Sequence, residues 1–249
     1  MLTLEGLVLE REGFRMTADW SLPDGSIAAV IGPSGGGKST LLDAVAGFLA
    51  PASGRVLWEG RDLTDLSPGA RPVAMLFQDN NLFPHLTAAQ NVALALTPKR
   101  RLTAEQTRAV EDALARVGLA GLGTRKPAQL SGGQQGRVAL ARVLLQRKPL
   151  FLLDEPFAAL GPAQRAEMLD LVAALAREQG ASVLMVSHAP GDARRIADNV
   201  VLVAEGRAEA PTETARLFAD PPPALRAYLG EPLPIRTPAA KTSAPPKTT

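Results

Sequence analysis

The run Gly32-Pro33-Ser34-Gly35-Gly36-Gly37-Lys38-Ser39 constrains this chain more than any other segment. It fits the spacing G-x-x-x-x-G-K-[ST] and follows a continuous apolar run, Ser26–Ile31, that reads as a parallel strand covered on both faces. A helix from Lys38 to about Leu49 is predicted after it. Between such a strand and helix, glycines let successive backbone N–H groups point inward with no Cβ in the way, and the helix adds its positive end. Lys38 supplies a point charge for β- and γ-phosphates, and the Ser39 hydroxyl can ligate Mg²⁺. ATP or GTP is the implied ligand, with Gly32 to Thr40 as its phosphate cradle. An ordinary flexible Gly/Ser turn is the competing reading, and the agreement of strand, loop and helix weighs against it.

Around this element the pattern alternates between strands and helices. Leu2–Leu9, Phe14–Leu22 and Gly54–Glu59 read as an antiparallel β region, and Val73–Phe77 as a further strand ending in the polar cluster Gln78–Asn81. From Leu86 to Arg147 the period becomes helical, with helices predicted over Thr87–Leu96, Thr103–Val117 and Gly133–Arg147. Strands Leu150–Leu153 and Ser182–Val186, split by an amphipathic helix over Pro162–Gln179, make a β-α-β crossover, and Asn199–Ala204 adds a strand. The fold class is therefore α/β: a P-loop NTPase core carrying an antiparallel β subdomain and a helical subdomain at about 86–147. Residues 1–230 form the expected domain. The Pro-, Ala-, Thr- and Lys-rich stretch 231–249 has too little apolar surface to order and is expected to be disordered.

A second chemical feature lies at the end of Leu150–Leu153, where Asp154 and Glu155 stand side by side before Pro156. Asp154 can hold the Mg²⁺ shell while Glu155 faces the γ-phosphate as a base for water. In isolation an Asp-Glu pair after a strand is more often a helix cap with a dipole-compensating neighbour; the upstream cradle reverses that preference. Composition narrows the field further. With no cysteine, disulfides, thiolate metal sites and cysteine nucleophiles are excluded, and with two histidines so is a His-rich metal site. A net charge of +2 gives no support to a nucleic-acid partner. The N-terminus lacks the pattern of a signal peptide and no apolar run reaches the roughly 20 residues of a membrane span. The chain is expected to stay in the cytoplasm and to meet a membrane only through a partner.

Between the two sites stands Leu130-Ser131-Gly132-Gly133-Gln134. Ser131 reads as an N-cap and the two glycines leave a helix N-terminus bare, a combination that binds anions. With this pentapeptide the chain resembles the ATP-binding-cassette ATPases over nearly all of residues 1–230. The resemblance implies ATP and Mg²⁺ as cofactors, and a homodimer in which Leu130 to Gln134 of one chain close on the γ-phosphate held by the other. It implies that Gln78 senses Mg²⁺ and the water, and touches the membrane partner. By the same resemblance His188 contacts the γ-phosphate and Phe14 stacks on adenine, although a lone strand Phe is also an ordinary core residue. Two positions depart from the family pattern. Gly161 stands where an Asp usually crosses the dimer interface, and Gly136 replaces a long polar residue inside the signature helix, weakening it by about 1 kcal/mol relative to Ala.

The stretch Met75–Asn91, with Gly47–Gly54 and Leu184–His188, is similar to the ATP-binding subunits of bacterial thiamine importers. That similarity implies transmembrane permease subunits, a solute-binding protein reached through them, and a peripheral position on the cytoplasmic face of the inner membrane. Two other classes stay open. One is a cassette ATPase importing another small solute, and the other is a soluble cassette ATPase acting on ribosomes or DNA. The soluble classes usually carry two cassettes or a long coiled-coil insertion, and this chain has neither. An exporter motor would need spans in the same chain.

Overall fold

A computed structural model describes residues 1–11, 13–97 and 101–230. The segment 231–249, expected to be disordered, lies outside them. The chain opens with a hairpin of β1 (Leu2–Arg11) and β2 (Phe14–Leu22). Leu2 and Leu4 are buried, and then Leu7 and Leu9. This change from even to odd positions would turn a regular strand inside out. A bulge between Leu4 and Leu7, where Gly6 takes φ 51°, supplies the extra residue and keeps all four leucines facing the core.

β3 (Ile27–Ile31) follows, buried at every position, and leads through the glycine-rich turn into α1 (Lys38–Ala46). The helix is three residues shorter than the expected end at Leu49. Gly47 adopts φ 88° and the Gly47 and Phe48 amides fold back on the Asp43 carbonyl, a left-handed cap that stops the helix although the apolar pattern runs on. The guanidinium of Arg71, 1% exposed, then donates to the carbonyls of Ala44, Val45, Thr64 and Leu66. A buried cation is acceptable there because it meets the negative end of α1 and satisfies four carbonyls.

β4 (Ser53–Trp58), β5 (Arg61–Asp62) and β6 (Val73–Leu76) come next, before the helices α2 (Ala88–Ala93), α3 (Ala104–Arg116) and α4 (Gly132–Leu145). Each of these helices starts on a capping box, Thr87 with Gln90, Thr103 with Gln106 and Ser131 with Gln134. Three S/T-x-x-Q spacings thus fix the start of the three helices locally. The remaining elements are β7 (Leu150–Asp154), α5 (Pro162–Gln179), β8 (Ser182–Val186), α6 (Pro190–Ile196), β9 (Asn199–Ala204), β10 (Arg207–Ala208), β11 (Thr212–Glu213), α7 (Thr214–Ala219) and α8 (Pro223–Leu229).

Among the described residues the strands run in the order β5-β4-β1-β2-β10-β9-β3-β8-β7-β6, with β11 beside β9. From β9 to β6 the pairing is parallel, and from β5 to β2 antiparallel, so two sheet types are joined through β10. β3 lies in the middle of the parallel part, between β8 and β9. Its side chains serve different cores: Ala28 and Val30 pack with α1 and the antiparallel strands, and Ala29 and Ile31 with α6, α7 and α8. The carboxyl ends of β3, β7 and β8 consequently open at one edge, where ligands of α/β sheets bind.

Candidate functional site

The turn from β3 to α1 is shaped by what its glycines touch. Gly32 has φ 148°, and a Cβ there would lie 2.0 Å from the Val203 carbonyl oxygen on β9. Gly37, at φ 94°, would place a Cβ 2.2 Å from the Phe14 ring. Neither position tolerates a side chain. Gly35, by contrast, has nothing within 4 Å of a would-be Cβ, and its face is open to the cleft. Lys38 is 4% exposed and donates to the carbonyls of Gly32 (3.0 Å) and Pro33 (2.8 Å). Burial lowers its pKa, while Glu155 and Asp154 act in the opposite direction. The Gly36 amide donates to Pro33, closing the loop.

A cleft of about 270 Å³ opens over this turn, lined by residues that include Phe14, Ser34, Lys38, Thr40, Glu155 and His188. Its floor continues into Asp154, the last residue of β7, whose Oδ1 accepts from the Ser39 hydroxyl at 3.0 Å. Burial raises the Asp154 pKa most; Ser39 lowers it, Glu155 raises it, and His188 and Lys38 lower it. Glu155 turns out of the strand at φ 46°, a left-handed conformation uncommon for a glutamate and a local strain of the kind found at functional sites. Its amide is tied to the Val186 carbonyl of β8. Its Oε1 meets Nε2 of His188 at 2.5 Å, with the two side chains 18% and 42% exposed. A carboxylate and an imidazole in contact, beside an ammonium and an array of bare amides, can bind a polyphosphate and move a proton next to it.

Other residues singled out in the sequence stand elsewhere. Gln78 is exposed in the turn after β6, and it does not line the cleft. Nor does the segment Leu130 to Gln134. Leu130 is buried, Ser131 accepts from the Gln134 amide and donates its own amide to the Gln134 side chain, and Gly132 and Gly133 start α4. The nearest neighbours of the two glycines are Leu160 and Gln164, at 3.8 to 3.9 Å from an added Cβ. Gly161 caps α5 through its backbone alone, with Pro162 at the first helical position and open space around it. The sequence reading missed a frame around His188. Ser187 donates to Asp192 (2.6 Å), Arg165 reaches both, and Tyr228 donates to the His188 carbonyl. It also missed Arg142 of α4, which donates to the carbonyls of Asn80 and Asn81 and so ties the signature helix to the loop after Gln78. The adjacent asparagines, both at positive φ, were a usable signal for that turn.

Among the described residues no cluster of three or more His, Cys, Asp or Glu side chains is arranged to hold a metal. A hard cation shared with phosphates needs less. The 3.0 Å between the Ser39 and Asp154 oxygens matches the edge of an octahedron with ligand distances of roughly 2.0–2.1 Å. No helix of the described residues is long and apolar enough to cross a membrane.

Comparison with known proteins places the chain in a family. Residues 16–158 match the family described as ABC transporter. The thiamine import ATP-binding protein ThiQ of Cereibacter sphaeroides is 63% identical over 230 residues, which is 92% of this chain and all of that one. ThiQ of a Ruegeria species is 59% identical over the same shares. Among solved structures, an ATP-binding cassette in a dimeric post-hydrolysis state, bound to ADP and Pi, superposes with a TM-score of 0.74 at 28% identity. The match covers 86% of this chain and 99% of that one.

Proposed function

Because the chain belongs to the ABC transporter family, we propose that it is the ATP-hydrolysing subunit of a thiamine importer, working as a homodimer on transmembrane permease subunits. The observation that carries the catalytic part is the contact between Glu155 and His188 at the mouth of the glycine-rich cleft. Gly32 to Thr40 bind the phosphates through backbone amides and the Lys38 ammonium, and the half-buried Phe14 ring offers a face to the base. Glu155 accepts a proton from the attacking water, and His188 orients that carboxylate and the γ-phosphate. Mg²⁺ fits the Ser39 and Asp154 oxygens, where it would neutralise developing phosphate charge. Gln78, on the loop after β6, would be the further side chain to hold that ion and its water.

The signature segment acts on the partner chain. The cleft lies at the surface over the glycine-rich turn, as suits a site finished by a second surface. Leu130 to Gln134 of the partner supply that surface in a head-to-tail dimer. The permease docks beside Gln78. Phe48 and Phe83 are 55% and 48% exposed and line one groove with Phe77, Leu82 and Arg142, an apolar face suited to a helix of a membrane partner. The chain therefore sits peripherally on the cytoplasmic face of the inner membrane, reaches a solute-binding protein only through the permease, and has no nucleic-acid role.

Thiamine, or its phosphate esters, is assigned from the relatives named as thiamine import proteins. Deleting this subunit in a cell without a second thiamine system should abolish uptake of labelled thiamine. Normal uptake would overturn the substrate. If ATP hydrolysis by the assembled transporter then persists with another solute, the motor reading stands without it.

A further inference from the structure

We propose that Tyr228, on the C-terminal helix α8, is a positioning residue for hydrolysis. Its hydroxyl holds the backbone carbonyl of His188 and so fixes the imidazole against Glu155. The inference rests on the roles given above to His188 and Glu155, and it extends the working site to an element that no phosphate-binding motif includes.

His188 lies in the short link between β8 and α6, and its neighbours are held with care. The Ser187 amide donates to the Val30 carbonyl of β3. The Ser187 hydroxyl donates to Asp192 of α6 at 2.6 Å and accepts from the Ala189 amide at 3.0 Å. Arg165 of α5 pairs with Asp192 and donates to Ser187 Oγ at 3.2 Å. Three elements thus fix the residue before His188. The peptide after it is held from a fourth direction, by the Tyr228 hydroxyl at 2.6 Å from the His188 oxygen.

This last bond is well placed to set side-chain direction. An imidazole that is 42% exposed has little packing of its own to choose a rotamer, so the orientation of its backbone matters more. The donor itself is anchored. Leu225, one turn earlier on α8, is fully buried among Ala29 and Ile31 of β3, Ala193 of α6 and Leu217 of α7, and Tyr228 packs at the edge of that cluster. Burial, then Glu155 and Asp192, push the phenol pKa above its ordinary value, so the hydroxyl keeps its proton and remains a donor.

Tyr228→Phe removes the hydroxyl and keeps the ring. In the transporter assembled with its permease, kcat for ATP should fall by roughly 3- to 10-fold, the range expected for one hydrogen bond, with KM for ATP unchanged. In a His188→Ala background the same substitution should cost nothing further, because a cycle isolates the coupling between the two residues. A lowered melting midpoint with kcat intact would mean that the bond only anchors the helix, and would overturn the inference. An equal loss of kcat with His188 already removed would do the same. If His188→Ala itself leaves kcat unchanged, the role of His188 falls and this inference with it; a defective His188→Ala beside a silent Tyr228→Phe overturns the inference alone.

Discussion

The glycine-rich starts of α1 and α4 differ in what surrounds their first turn. At α1 the cap is Gly37, with no side chain on the free amides, and Phe14, Lys38, Glu155 and His188 close in around it. At α4 the cap is Ser131, locked to Gln134 in a capping box, and only Leu160 and Gln164 approach the glycines that follow. Both ends carry the same partial positive charge. The first is a cradle flanked by side chains of its own chain, among them a carboxylate and an ammonium. Among the described residues, the second has no carboxylate or ammonium within 4 Å of its glycines' would-be side chains, and in the proposed dimer it would face the partner's nucleotide. A glycine-rich helix start therefore says that something can approach closely, and the neighbourhood decides what.

The largest effect that would test this contrast is at Glu155. Glu155→Gln keeps the shape and removes the base, so steady-state ATP hydrolysis by the assembled transporter should drop by roughly 10²- to 10⁴-fold while nucleotide binding persists. Unchanged turnover would mean that α1's surroundings bind phosphate and do no chemistry. Next comes Gly37→Ala. The added carbon would stand 2.2 Å from the Phe14 ring at φ 94°, so the loop must shift and ATP affinity, measured by equilibrium binding, should fall more than tenfold. The left-handed backbone alone should cost about 1–2 kcal/mol of stability. An equally harmful Gly132→Ala in the isolated subunit would erase the distinction, since that position is open.

Smaller effects sharpen the account of the arm. Gly136 lies inside α4, and an added Cβ would meet Asn80 Oδ1 and Met168 Cε at 3.8 Å, ordinary contact distances. Gly136→Ala should raise stability by about 1 kcal/mol, read as a higher denaturant midpoint with unchanged slope. The gap has a second mark: among the described residues Asn80 Oδ1, one of the two atoms nearest an added Cβ, is buried without a hydrogen-bond partner. At the bottom of the scale, Gly161→Asp has room and acceptable backbone angles, φ −63° and ψ 158°, so stability should change by less than about 0.5 kcal/mol. The Hill coefficient of ATP hydrolysis should nevertheless change, since a carboxylate there adds a contact specific to the closed dimer. Superimposable curves would remove Gly161 from any part in communication between sites.

How far the sequence could be read depended on the distance over which each feature is decided. The cradle was legible because strand, glycines and helix are adjacent, and so were the starts of α2, α3 and α4, each set by a side chain three residues from its cap. The end of α1 was misjudged because Phe48 and Leu49 prolong the apolar pattern that Gly47 interrupts. The short helices α6, α7 and α8 were missed because six or seven residues are too brief to show a period and none of them starts on the side-chain cap that marks the equally short α2. Nothing in the sequence marked Arg71, which is buried against carbonyls 26 and 27 residues away.

The residues alone placed a bare glycine-rich turn between a strand and a helix, two adjacent carboxylates at the end of another strand, and a serine cap at the start of α4. These rest on bonds between near neighbours and on the stereochemistry of glycine. Tertiary structure decided which of them meet. Ser39 and Asp154 are 115 residues apart and share a hydrogen bond, and Tyr228 reaches a carbonyl 40 residues upstream, because β3, β7 and β8 end at one edge of a parallel sheet. It also left the signature glycines away from the cleft of their own chain. That separation follows from the sheet: β6 and β7 pair in parallel, and the connection between them must cross over a face, which carries α4 away from the strand ends where the glycine-rich turn lies.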